Sequence, residues 1–294
     1  MQTRLSSLVR GVSKHAARLL IVLGLGGFLG ATLVRLAPGY GVDEEELDSR
    51  LNQESIQALR QSHAREDSLP GFYVRYLIQL MKGDLGDSQT LHQPVRQLLA
   101  ERFPETLKSV GIGLALAWTA GLTLAMAAVM ARARAVDLAA CLLASVLLCI
   151  PAAVMALLFV IAQAPGRLVL GLIVFPKIFH YSRNLLLRSA SLPHVLTARA
   201  KGLGGFRVFL WHVLPVAAPQ LLALAGVSAS LAFAAAIPVE VLCDLPGIGQ
   251  LAWQAALGRD LVLLVNLTMI VTLITLLANS AADLAANPRR AGEA

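Results

Sequence analysis

LVLLVNLTMIVTLITLLANSAADLAA, residues 261–286, is the stretch on which the fold turns. It carries no charged side chain before Asp283. A helix needs about 20 mostly apolar residues to cross the roughly 30 Å hydrocarbon core of a bilayer, and this stretch supplies them. Working back towards the N-terminus, apolar runs of similar kind lie at about 213–238, 166–181, 136–163 and 106–130. Pro176 and Lys177 interrupt the run at 166–181. A sixth run extends from about Ala17 to Ala37, behind Arg4, Arg10, Lys14 and Arg18. It resembles a signal peptide in that basic lead, but it is long enough to span and has no convincing small-residue cleavage site, so an uncleaved anchor is expected. Within it Gly26 and Gly30 form a G-x-x-x-G pair, a spacing that lets a second helix approach closely.

Composition agrees. Hydrophobic residues make up 56% of the 294 and charged residues 15%, with a mean hydropathy of +0.67. Soluble domains carry roughly a quarter charged residues, and disordered chains are poor in apolar ones. The net charge is +7. Nucleic-acid binding is not expected, because aromatic patches and Lys/Arg-rich runs are both absent. The basic excess reads instead as loops on the cytoplasmic side of a membrane. The short loops hold Arg132 and Arg134, then Arg183, Arg188, Arg199, Lys201 and Arg207. That distribution puts the N-terminus inside.

The expected fold class is therefore an all-α membrane protein of about six transmembrane helices. The expected order is an N-terminal tail and first helix over 1–38, an extracytoplasmic (periplasmic) lobe over 39–105, five further helices within 106–286, and a cytoplasmic tail at 287–294. The lobe is polar, opens on the acidic cluster Asp43 to Asp48, and has short amphipathic stretches at Leu51–Ser62 and Gly71–Leu80. Cys141, Cys149 and Cys243 form no C-x-x-C and fall short of the roughly four close-spaced ligands a zinc site needs. They read as apolar-like thiols.

The cytoplasmic loop 182–212 is the informative one. It contains Thr197, Ala198, Arg199, Ala200, Lys201, Gly202, Leu203, Gly204 and Gly205, with Leu214 and Pro215 following. These residues predict a short helix of small residues, a glycine break, and a second helix leading into the next span. Ala198 and Gly202, four apart, would share one helical face. Gly204 and Gly205 would permit the turn. The alternative is a basic loop held near anionic headgroups.

The pattern A-x-x-x-G followed twelve residues on by L-P resembles the cytoplasmic signature of bacterial binding-protein-dependent ABC permeases. Ala198, Gly202, Leu214 and Pro215 fall on its fixed positions. The wording Thr197-Ala-Arg-Ala-Lys-Gly-Leu203 is similar to the oligopeptide/dipeptide/nickel branch. Arg35-Leu-Ala-Pro-Gly39, Gly83-Asp-Leu-Gly86, Pro94-Val95, Glu101-Arg-Phe-Pro-Glu-Thr106, Pro246-Gly-Ile-Gly-Gln-Leu251 and Gly258-Arg-Asp260 resemble the same branch in the same order. The glutamate that opens the signature in many ABC permeases would fall at Leu196. The short connection Gln163–Arg167 departs from the longer outer loop usual in the family.

The resemblance implies a permease subunit of an ATP-driven importer in the bacterial cytoplasmic (inner) membrane. Its implied partners are a second, homologous permease subunit, two ABC ATPase subunits and an extracytoplasmic solute-binding protein. It implies that residues 197–205, with Leu214 and Pro215, couple to an ATPase. No cofactor of its own is expected; with no G-x-x-x-x-G-K-[ST] in the chain, ATP is bound by partner subunits. Peptide import is favoured, with nickel-complex or other small-solute import as the alternative. Ser228, Ser230, Glu240, Asn266 and Thr268 are candidate pathway residues. Serines and threonines in membrane helices more often bond the backbone or a neighbouring helix, and Glu240 and Asp244 would either attract a peptide amino terminus or stand solvated. An enzyme is not expected. No G-x-S-x-G, H-E-x-x-H or aspartate pair lies in the spans, and the six histidines are scattered. A secondary transporter would place ionisable residues inside the spans, where this chain has few.

Overall fold

The computed structural model describes residues 21–22, 24–30, 32, 71, 76–80, 82–131 and 134–286. The expectations for residues 1–20, for most of the lobe and for the tail at 287–294 lie outside these. Helix dominates the described residues. Their one β feature is an isolated bridge between Asp87 and Pro94.

From residue 95 on, the α-helices in chain order are α1 (Val95–Ala131), α2 (Arg134–Cys149), α3 (Ala152–Ile161), α4 (Gly166–Ala190), α5 (Pro193–Ala200), α6 (Gly205–Val208), α7 (Leu214–Leu242), α8 (Ile248–Leu257) and α9 (Leu261–Ala286). Among the described residues, three stretches are long and apolar enough to cross a membrane: Val95–Met130, Gly205–Leu242 and Leu261–Ala282. The pair α2–α3 qualifies only if taken together, and it is bent by 95°. Helix α4 carries Arg167, Lys177, Arg183 and Arg188 and is not among them.

The structure departs from the sequence reading in three places. Helix α1 starts at Val95, eleven residues before the second apolar run, because the helix continues past its apolar part into a polar first turn. The run at 136–163 is not one straight rod. Pro151 has no N–H to donate and breaks the helix, standing at φ −58° and ψ 144° as the cap of α3. Conversely, Pro176 does not interrupt α4, which runs unbroken over 25 residues. Val174, Phe175, Ile178 and Phe179 around it are buried, and that packing outweighs the one lost backbone bond.

Two compact units divide the chain. Of the described residues, the larger takes in those within 102–250 and 273–286, and the smaller those within 21–101 and 251–272. In the larger unit, Gly113, Ala117, Gly121 and Ala125 lie four apart on α1 and all are buried. A Cβ on Gly113 would stand 2.7 Å from the Cβ of Leu170, and one on Gly121 2.9 Å from Ile178 Cγ2. This small-residue stripe is what lets α4 lie against α1, since helices in lipid gain their association from close packing. Helix α4 also packs along α7 and against α2 and α3, which makes it the central strut of the unit.

In the smaller unit, Gly26 and Gly30 do serve as a packing face. Hypothetical Cβ atoms there come within 3.7 Å of Thr272 and 3.5 Å of Thr268 on α9. Residues 84–94 are fastened to the start of α9. Asp260, fully buried, accepts from Ser88 Oγ at 2.5 Å and Thr90 N–H at 3.2 Å, and caps α9 through Leu263 N–H at 2.9 Å.

Candidate functional site

The elbow between α4 and α7 begins at Pro193, which occupies the first turn of α5 where its missing N–H costs nothing. Val195 and Ala198 face inward and join the apolar core, together with Leu192 and Leu203. Leu196, Thr197, Arg199 and Ala200 face outward. The helix ends in a Schellman motif. Leu203 N–H donates to Ala198 O at 3.4 Å and Gly202 N–H to Arg199 O at 2.9 Å, with Gly202 left-handed at φ +77°.

The sequence reading of the glycines is therefore corrected. Gly202 makes the turn, because a left-handed residue without a Cβ is what this cap needs. Gly204 sits at φ −58° and ψ 143° as the cap of α6, and Gly205 is the first residue of that helix. Ala198 and Gly202 do not share a face: the helix stops at Ala200, Ala198 is buried and Gly202 exposed.

From α6 the chain passes through a π-turn, Phe209–Val213, into α7. Leu214 N–H reaches back five residues to Phe209 O. Pro215 explains the wide turn. It offers no N–H, and its ring would press on the carbonyl four residues earlier, at Trp211; a π-turn relieves that crowding. His194 Nε2 lies 3.2 Å from His212 O, tying α5 to the same turn. A cleft of about 420 Å³ opens here, lined by Val129, Met130, Arg199, Leu203, Phe206 and Phe209 among others. Trp211, 68% exposed, stands outside it. Arg199, Lys201 and Arg207 are all exposed, and no acidic residue occurs in the sequence between Asp137 and Glu240. The elbow is thus anchored on its apolar side and carries Arg199, Lys201 and Arg207 on its outer surface.

The candidate pathway residues are dispersed. Ser228 is buried, accepts from Trp118 Nε1 at 3.0 Å and donates to Ala225 O at 2.9 Å. Ser230 donates to Gly226 O at 3.1 Å, and Thr268 to Leu264 O at 2.8 Å. Asn266 is buried, accepts from Tyr76 Oη at 2.8 Å and donates to Leu85 O at 2.9 Å and Val262 O at 2.8 Å. Each hydroxyl and amide is occupied within the fold.

Glu240 stands differently from either sequence expectation. It is 0% exposed, so it is not solvated. Its Oε2 accepts from Gly249 N–H at 2.6 Å, and the Thr106 hydroxyl and Gln250 N–H also interact with it. Thr106 Oγ1 accepts from Ile248 N–H at 2.8 Å, and Arg102 Nη1 donates to Gln250 Oε1 at 3.2 Å. A Cβ on Gly247 would land on the Glu240 carboxylate. The Pro246-Gly-Ile-Gly loop is thus built around this carboxylate, a role that sequence spacing alone does not show.

Sequence reasoning also missed a pairing between α2 and α4. Arg183 Nε donates to Asp137 Oδ1 at 2.5 Å, and Arg183 Nη2 to Asp137 Oδ2. The only available signal was the isolation of Asp137 in a long stretch of sequence without other acidic residues.

With this geometry in hand, comparison with known proteins places the chain. Residues 113–287 match the family described as binding-protein-dependent transport system inner membrane component. A putative peptide permease protein of Brucella ovis is 28% identical over 300 residues, covering 90% of this chain and 94% of the relative. The oligopeptide transport system permease protein OppB of Escherichia coli is 28% identical over 260 residues, covering 81% of this chain and 84% of the relative. OppB of Haemophilus influenzae is 27% identical over 273 residues, covering 86% and 88%.

Proposed function

The chain belongs to the family of inner-membrane components of binding-protein-dependent transport systems, and from that premise we propose that it forms half of the path of an ATP-driven importer for di- and oligopeptides. The observation that carries the substrate class is the similarity to peptide permeases along 90% of the chain. In this reading about six helices cross the membrane with the N-terminus inside, the 39–105 stretch lies outside, and a second permease completes the path. A solute-binding protein delivers peptide, and two ATPase subunits supply the energy.

The coupling surface is the outer side of the elbow: Thr197, Arg199, Ala200, Lys201, Gly202, Gly204 and Gly205. Small, unstrained, exposed residues let a partner groove close around α5, and the basic side chains favour an acidic groove. Ala198, Leu203, Leu214 and Pro215 hold the elbow rigid so that a push is not absorbed locally. Alternating access then needs two arrangements of a packed bundle, switched by ATPase closure.

Gly205→Leu tests this. A Cβ at Gly205 meets nothing within 4 Å, and its backbone is helical, so the variant folds. In the assembled complex it should lose ATPase subunits on co-purification and lose peptide uptake. Full retention of both would refute the coupling surface. Uptake of a nickel complex but of no peptide would refute the substrate.

A further inference from the structure

Helix α2 carries Asp137, Cys141 and Ser145, spaced by four and so on one face. Opposite them, α4 presents His180 and Arg183. Ser145 Oγ lies 3.5 Å from His180 Nε2, and Cys141 Sγ 4.0 Å from Asp137 Oδ1. Arg183 meets Asp137 through two nitrogens and both carboxylate oxygens, the fork-on-fork arrangement that fixes orientation as well as distance. The side chains are 20% and 30% exposed. A polar seam thus joins the first part of α2 to the last part of α4, at the ends that the sequence reading puts on the cytoplasmic side. A forked ion pair there orients both helices without the cost of a charge at mid-membrane.

The two helices have opposite duties. Helix α4 ends at Ala190, and the elbow helix starts three residues later at Pro193. Helix α2 leads to the 95° bend at Pro151. We infer that the Asp137–Arg183 pair is the joint through which displacement of the elbow passes from α4 to the bent pair α2–α3, making both positioning residues for transport. This rests on the coupling role proposed above. A forked pair resists sliding and rotation, which apolar side chains between the same helices would permit.

The test uses the complete transporter in proteoliposomes, reading peptide uptake and ATP hydrolysis together. Asp137→Asn and Arg183→Gln should each keep the ATPase subunits bound and hydrolysing, yet move at least tenfold less peptide per ATP. The reversed pair D137R/R183D should recover most of that ratio. In a C141S/C149S/C243S background, D137C/R183C joined by a short bis-methanethiosulfonate linker should transport in the linked state, because the helices move as one body. A normal ratio in both single variants overturns the joint, and so does arrest on linking that reduction relieves. Failure of the elbow itself shows separately, as ATPase association that survives Gly205→Leu.

Discussion

Gly202→Ala should loosen the elbow by backbone strain alone. Gly202 stands at φ +77° with nothing within 4 Å of a hypothetical Cβ. The cost is therefore that of a left-handed alanine, about 1 kcal/mol, with no clash to add. It falls on two amide bonds, Gly202 N–H to Arg199 O and Leu203 N–H to Ala198 O. Hydrogen exchange at these amides should speed up about fivefold, the population shift that 1 kcal/mol produces. Gly202→Asn should change exchange much less, because asparagine tolerates the left-handed region. Gly204→Ser should not loosen the cap at all, since Gly204 has an ordinary φ and serine suits a helix cap. Exchange mass spectrometry on peptides covering 197–205 reads all three. Equal acceleration by Gly204→Ser, or none by Gly202→Ala, would refute the account of the cap.

Glu240→Ala leaves Gly249 N–H buried without its acceptor, a loss of about 1–3 kcal/mol; it should lower the thermal midpoint in detergent and open 244–257 to protease. Ser228→Ala removes the acceptor of Trp118 Nε1 and should cost about 1 kcal/mol, seen as a shift in tryptophan emission with little change in the KM for uptake. Gly30→Ala should be tolerated, since its Cβ would meet Thr268 at 3.5 Å, an ordinary contact; Gly30→Leu should reduce the yield of assembled protein.

The long apolar runs made the membrane class legible, because lipid demands a length that soluble helices rarely keep free of charge. The elbow's helix–break–helix plan was legible too, in Pro193, the small residues and the glycines. Which glycine turns the chain was not, since Gly202, Gly204 and Gly205 offer the same freedom and only the hydrogen bonds of the cap choose between them. The bend at Pro151 was hidden because proline breaks a helix in one context and is carried in another, as Pro176 shows inside α4. Glu240 looked solvated because it follows an apolar run; its burial depends on Gly249 and Thr106, the latter 134 positions earlier in the sequence. Pairings over that separation leave no local pattern.

The π-turn at Phe209–Val213 sets the helical phase of everything after it. An α-helix advances about 100° per residue, so the one extra residue in this turn offsets the faces of α7 from those of α6 by that amount. Deleting a single residue between 209 and 213 would remove the extra residue and leave Trp118 and Ser228 in register, at the cost of pressing the Pro215 ring on the carbonyl four residues before it. The same deletion after Pro215 would rotate Ser228, Gly226 and Glu240 away from their neighbours. Length changes in this helix are therefore survivable on one side of the proline and ruinous on the other.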